Sequence, residues 1–286
     1  MSLSEAAPLV SAKWLADHLD APDVRVVDAT WHMPSENRDA YDEYRAAHIP
    51  GAVYFDIDEI ADTECGLPHM LPSPTLFSSR ARKLGLGSGN KIVVYDTKGL
   101  FSAARVWWMF RVMGHQDVCV LDGGFPKWRG EGLPVEDLPP RPRERHFIAR
   151  VNRELVRDID QVKLASANGQ EQIFDARGAG RFEGEDPEPR EGMRSGHIPG
   201  SRNVPFPSLL NEDGTMKSTS EIRTIFEDAG LNFERSVVTS CGSGVTACIL
   251  ALALELVGKT DVAVYDGSWS EWGCCPDVEV ETGTAS

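Results

Sequence analysis

Short, largely apolar runs recur along the chain, each bounded by charged residues or glycine. Val24–Val27, Ile92–Tyr95 and Val118–Leu121 are of this kind. Apolar character that is nearly continuous rather than alternating predicts strands buried on both faces of a sheet. Two longer apolar stretches, Ser102–Met113 and Thr246–Val257, predict packed helices, and each is followed by a glycine, Gly114 or Gly258, where a C-cap belongs. Alternation of strand and helix predicts an α/β protein built on parallel sheets with helices on both faces.

Most of the pattern occurs twice. VRVVDA (24–29) resembles QIFDAR (172–177), AAHIPGAVYFDI (46–57) resembles SGHIPGSRNVPF (195–206), KIVVYDTKG (91–99) corresponds to SVVTSCGSG (236–244), and VCVLDGGFPKW (118–128) to VAVYDGSWSEW (262–272). The offsets stay close: 147 residues from Asp28 to Asp175, 149 from His48 to His197, 145 from Asp96 to Cys241 and 144 from Trp128 to Trp272. One unit has been duplicated, with few insertions. Between the copies, LPVEDLPPRPRER (133–145) is proline-rich and charged and predicts a linker, giving domains over 1–132 and 146–286. A two-domain chain of this kind is expected to hold its site in the cleft between domains.

Charge and cysteine content narrow the function. A formal net charge of −15 argues against a nucleic-acid backbone or an anionic membrane as partner. An anionic substrate must then be drawn in by local arginines or lysines. No run of eighteen apolar residues predicts a membrane span, and MSLSEAAPLVSAKWL reads as neither a secretory signal nor a transit peptide, so a cytoplasmic location is expected. Six cysteines in 286 residues form neither a disulfide framework nor paired CxxC units, so no structural zinc is expected, and no metal or organic cofactor is indicated.

The copies differ at one chemically important place. The second carries Cys241 where the first carries Asp96, so the architecture itself does not require a cysteine there. Cys241 stands at the end of a predicted strand, and ligands of open parallel sheets bind beyond such ends. Gly242, Ser243 and Gly244 permit a curled backbone whose N–H groups form an anion-binding nest, assisted by the helix N-terminus that follows. Both effects favour a thiolate. The plainer alternative is a buried cysteine before a tight turn, and Cys248, inside the helix, is structural. A cysteine phosphatase closes this kind of loop with an arginine that clamps phosphate. Here Gly242, Ser243, Gly244, Val245 and Thr246 lead into Ala247 and Cys248, and the arginine is missing.

The duplicated unit, the paired HIPG turns and the CGSGVTA loop resemble the tandem-domain rhodanese superfamily over nearly the whole chain. Within it the loop is similar to that of the 3-mercaptopyruvate sulfurtransferases rather than the thiosulfate sulfurtransferases, whose loop typically carries Arg-Lys after the cysteine. The resemblance implies two rhodanese-like domains, the first without a nucleophile and the second catalytic. It also implies that Arg181, in GRF, and Arg190, in PEPR, hold the substrate carboxylate and carbonyl; without it, exposed arginines read most simply as surface ion-pair residues. Asp58 and His69, within FDIDEIADTECGLPHMLP (55–72), match family residues that work with the loop serine, Ser243 here, as a proton relay. A histidine in a proline-flanked loop otherwise serves to bind a backbone carbonyl. His48 and His197 occur in both halves and read as structural, as do Asp28 and Asp175. Cys65, near His69, has no counterpart in the family pattern.

The expected reaction is ping-pong: a Cys241 persulfide, held by amides from Gly242 to Thr246 (Gly244 and Val245 included), forms from a small-molecule sulfur donor with release of pyruvate. It then passes its sulfur to a thiol acceptor or cyanide. The resemblance suggests thioredoxin or another dithiol as acceptor. The rival readings are a thiosulfate sulfurtransferase and a non-catalytic rhodanese-like binding module.

Overall fold

The buried apolar runs form the centres of two five-stranded parallel sheets in the computed structural model, which describes residues 7–284. In the first sheet, β1 (Leu9–Val10), β2 (Val24–Asp28), β3 (Val53–Tyr54), β4 (Lys91–Tyr95) and β5 (Val118–Leu121) stand in the order β1-β5-β4-β2-β3. In the second, β6 (Val156–Arg157), β7 (Gln172–Asp175), β8 (Arg202–Asn203), β9 (Val237–Ser240) and β10 (Val262–Tyr265) stand in the order β6-β10-β9-β7-β8. Raising each strand number by five converts one order into the other, so the sequence repeat is a repeat of topology.

The first sheet is served by α1 (Ala12–Ala16), α2 (Ala40–Ala46), α3 (Pro74–Lys83), α4 (Ala103–Val112) and α5 (Gly124–Gly130). The second has α6 (Ile159–Asn168), α7 (Ala179–Glu183), α8 (Thr219–Asp228), α9 (Ala247–Leu256) and α10 (Ser268–Trp272). On one face Val93, Tyr95, Cys119 and Leu121 pack against Ala12 and Leu15 of α1 and Phe125 and Trp128 of α5. The repeat of that face sets Ile173, Val238 and Tyr265 against Val162 of α6 and Trp269 and Trp272 of α10. α4 and α9 lie against the central strands and are buried along almost their whole length, which explains their lack of a polar stripe. Gly114 and Gly258 end them at φ +84° and +83°, the left-handed conformation that a helix stop uses. Among the described residues no helix is long and apolar enough to cross a membrane.

By its contacts the chain separates into two units that differ from a simple division at the linker. The first contains residues 7–62, Leu71–Asn152 and also Asn211–Met216. The second contains Thr63–Met70, Arg153–Leu210 and residues 217–284. His69 and Cys65 therefore belong to the same unit as Cys241, although their sequence position lies within the first repeat.

The HIPG turns serve the same purpose in each unit. His48 is fully buried, with Nδ1 2.7 Å from the carbonyl of Tyr44 and its amide donating to Glu136. His197 has Nδ1 2.8 Å from the carbonyl of Phe182, stacks on that ring at 3.8 Å, and donates its amide to Glu281. Both tie a preceding helix to a later strand-like segment.

Asp28 is a buried weak point of the first unit. Its Oδ1 accepts from the amide and hydroxyl of Thr30 at 2.9 and 2.5 Å, but burial outweighs these bonds and pushes its pKa up to about 6. A carboxyl whose folded pKa is raised costs nothing below its unfolded value near 4. The cost grows as pH rises toward 6, and the full penalty of about 3 kcal/mol applies above it. Asp28→Asn is therefore expected to stabilise the first unit at pH 7 by up to about 3 kcal/mol and to leave it unchanged at pH 3.5. Urea denaturation at the two pH values checks this; equal effects at both would contradict it.

Candidate active site

In each sheet the strand order reverses between two adjacent strands, β2 and β4 in the first and β7 and β9 in the second. The crevice beyond the carboxyl ends at such a reversal is where an open α/β sheet binds ligands. In the second unit β9 ends directly before Cys241, and β7 ends at Asp175, six residues before Arg181.

The first unit provides an internal comparison for the loop after β9. There, Asp96 occupies the position of Cys241, and its carboxylate collects three amides: Lys98 at 2.9 Å on Oδ1, Phe101 at 2.7 Å and Ala103 at 2.9 Å on Oδ2. Burial pushes the Asp96 pKa up, partly opposed by those three amides. The same curled loop is thus an anion receptor filled by its own side chain. In the second unit the matching positions are Ser243, Thr246 and Cys248, and Gly244 takes the left-handed φ of +75° as Gly99 takes +95°. The amides of Gly242, Ser243, Val245 and Thr246 donate to no protein acceptor among the described residues. Cys241 lies at the base of this nest with 2% of its surface exposed.

Arg181 lies over the loop. A Cβ added to Gly242 would come within 3.1 Å of its Nη2. The guanidinium is held by Glu188, which accepts from Nε at 3.3 Å and from Nη2 at 2.5 Å. This leaves three of its five N–H groups without a protein acceptor among the described residues, including both on Nη1. Glu188, its side chain only 1% exposed, also accepts from Arg177 Nη1 at 2.8 Å. Arg177 in turn clasps Asp175 through Nε and Nη2, donates to the carbonyl of Gly196 at 2.8 Å, and stacks 4.3 Å over Trp269. Burial alone would lower the Arg177 pKa, but the adjacent Asp175 charge and bonds, with those of Glu188, raise it instead. Asp175–Arg177–Glu188–Arg181 is a charge-balanced chain that holds one guanidinium edge toward the nest.

Local sequence produces this placement. Gly178 leads into the short helix α7, and Gly180 lets the following loop fold back: the amides of Glu185 and Asp186 both donate to its carbonyl at 2.8 Å. A side chain at Gly180 would meet the Asp186 carboxylate at 2.2 Å. Pro187 and Pro189, on either side of Glu188, each lock their own φ and stiffen the loop that carries it. Glu188 was not singled out in the sequence, although the isolated Pro-Glu-Pro between two arginines is a readable signal. Arg190, two residues on, is half-buried. His69 is buried and holds φ +61° in Thr63–Met70 of the second unit. Asp58, in the first unit, accepts the indole N–H of Trp31 at 2.8 Å. None of the six cysteines is in a disulfide: Cys248 is buried in α9, and Cys65 and Cys274 are exposed. Among the described residues no group of histidines, cysteines and carboxylates is arranged to hold a metal.

Gly242→Ala is expected to push Arg181 outward by a few tenths of an ångström. Reaction with a carboxylate-bearing donor should fall about tenfold without loss of stability, because positioning errors of this kind are costly. Unchanged kinetics in the variant would mean that Arg181 does not serve the loop.

Comparison with known proteins agrees with the geometry. The rhodanese-like domain family matches residues 11–131 and 158–273. Human 3-mercaptopyruvate sulfurtransferase is 43% identical over 92% of this chain and 91% of that protein. Rat thiosulfate sulfurtransferase is 47% identical with the same coverage of both chains. The crystal structure of SseA from Escherichia coli, described as a 3-mercaptopyruvate sulfotransferase, superposes with a TM-score of 0.86 at 41% identity, covering 92% of this chain and 99% of that one. A duplicated sheet order, a cysteine-based nest in one copy and a carboxylate-filled nest in the other thus find their relatives, and the chain belongs to the rhodanese family of tandem-domain sulfurtransferases.

Proposed function

We propose that the protein transfers sulfur from 3-mercaptopyruvate, through a persulfide on Cys241, to a thiol acceptor, and releases pyruvate. The observation that carries this reading is the pair of nests. The first unit closes its loop amides on the Asp96 carboxylate; the second leaves those of Gly242, Ser243, Val245 and Thr246 for an anion and sets a cysteine beneath them. Arg181 and Arg190 receive the donor carboxylate and carbonyl, Arg181 through its unoccupied edge. The Cys241 thiolate attacks the donor sulfur: an S–S bond forms, the C–S bond breaks, and its electron pair leaves as pyruvate enolate. The enolate takes up the proton of the donor thiol at carbon and becomes pyruvate. The outer sulfur stays in the nest formed by Gly242, Ser243, Gly244, Val245 and Thr246 until a thiolate or cyanide removes it and frees Cys241. His69, Asp58 and Ser243 form the proton relay in this reading.

Sequence identity does not separate the two donors, since the thiosulfate and mercaptopyruvate relatives are similar to comparable degrees, 47% and 43%. The loop does. Gly242 and Ser243 bring no charge, and Glu188 balances Arg181, so the site lacks the added positive charge that a thiosulfate dianion favours. Six cysteines without a disulfide suit a reducing compartment, the cytoplasm, with a dithiol such as thioredoxin as acceptor. The test is steady-state kinetics with each donor against cyanide. Parallel reciprocal plots and a larger kcat/KM for mercaptopyruvate support the proposal. A larger value for thiosulfate reassigns the donor, and no thiocyanate from either would leave the protein a binding module.

A further inference from the structure

The duplication isolates two serines that architecture does not explain. In both units the helix after the last strand begins beside the nest, and its second amide donates to the nucleophile-position carbonyl: Phe125 to Asp96 at 3.0 Å, Trp269 to Cys241 at 2.9 Å. On either side of that shared bond the units differ. The first has Gly124 and Pro126; the second has Ser268 and Ser270. Ser268 Oγ accepts the amide of Cys241 at 3.1 Å and donates to the carbonyl of Tyr265 at 2.8 Å. Ser270 donates twice to the carbonyl of Gly242, by its amide at 2.8 Å and its hydroxyl at 2.7 Å. Pro126 has no N–H with which to make the first of those bonds.

Ser268 holds this position at some conformational cost. Its φ is +48°, a region that glycine adopts freely and serine does not, and Gly124 sits at +54° in the first unit. Ser268 is fully buried and Ser270 4% exposed, so neither is there for solvent contact.

We propose that Ser268 and Ser270 are positioning residues for sulfur transfer: Ser268 holds the amide of Cys241 and Ser270 the carbonyl of Gly242 from behind the loop, so that the remaining N–H groups of the loop face the sulfur. The first unit has no such need, because the Asp96 carboxylate itself draws the amides inward. A cysteine, shorter and with one acceptor atom, cannot organise the loop by its own bonds, and the clamp organises it from behind. The proposal rests on Cys241 being the sulfur carrier.

The test uses Ser268→Gly, Ser270→Ala and the double variant Ser268→Gly/Ser270→Pro, which restores the residues of the first unit. Three quantities are read: persulfide formation on Cys241 by intact mass, the rate of Cys241 alkylation by iodoacetamide, and the melting temperature. Persulfide formation from mercaptopyruvate is expected to fall about tenfold in each single variant and about a hundredfold in the double one, the scale on which misplaced catalytic groups act. Alkylation should slow in parallel, while the melting temperature stays within a few degrees. Wild-type rates in the double variant, or a rate loss matched by a collapse in melting temperature, overturn the proposal. Should wild type itself gain no sulfur from mercaptopyruvate, the donor assignment fails separately. The alkylation rates still decide whether the clamp shapes the cysteine.

Discussion

A Cys241→Ser protein is expected to fold as the wild type does and to transfer no sulfur, with kcat reduced at least about 10⁴-fold for either donor. Serine nearly matches cysteine in volume, and the site is 2% exposed, so packing and the backbone bonds to Ser268 and Trp269 persist. The oxygen cannot carry a sulfane sulfur, and the covalent half of the reaction has no substitute. Thiocyanate formation is the readout, with circular dichroism as the folding control. Residual transfer above a hundredth of wild type would mean that another thiol, Cys65 or the Cys274–Cys275 pair, carries sulfur.

Replacing Arg177 is expected to have the largest effect on stability. Its side chain is 1% exposed and lies between Asp175 and Glu188, each also 1% exposed. Arg177→Met leaves two buried carboxylates without their shared cation, which costs about 3–5 kcal/mol. The cost should be confined to the second unit. Arg181 also loses its anchor, because Glu188 is no longer fixed, so donor loading weakens in whatever fraction remains folded. Adding Asp175→Asn and Glu188→Gln to Arg177→Met removes the uncompensated charges and should recover most of the loss. Urea denaturation of the single and triple variants measures both steps. A loss under about 1 kcal/mol in the single variant would be inconsistent with a dry, paired network.

Much of this structure was legible in the order of residues. Buried strands announce themselves because both faces must be apolar, and Ile92–Tyr95 and Val118–Leu121 lie within β4 and β5. The helices expected over Ser102–Met113 and Thr246–Val257 are α4 and α9 with their capping residues. The exchange of Cys241 for Asp96 pointed to the nest because a repeat removes what architecture alone demands. Comparing the repeats further would also have exposed Ser268 and Ser270, which replace Gly124 and Pro126 in otherwise matching segments. Other features depend on contacts that local pattern does not encode. The grouping of Thr63–Met70 with the second unit and Asn211–Met216 with the first follows from long-range packing, not from periodicity. Glu188 gains its role only when the 184–190 loop folds back on Gly180 and brings it to two arginines 7 and 11 residues away.

The central claim is that Cys241 takes sulfur from mercaptopyruvate. Its most direct test is the intact mass of the desalted protein after brief exposure to 3-mercaptopyruvate or to thiosulfate, with Cys241→Ser alongside. The account predicts one added sulfur from mercaptopyruvate, formed much faster than from thiosulfate and absent from the variant. Faster loading from thiosulfate, or a sulfur that remains when Cys241 is gone, would contradict it.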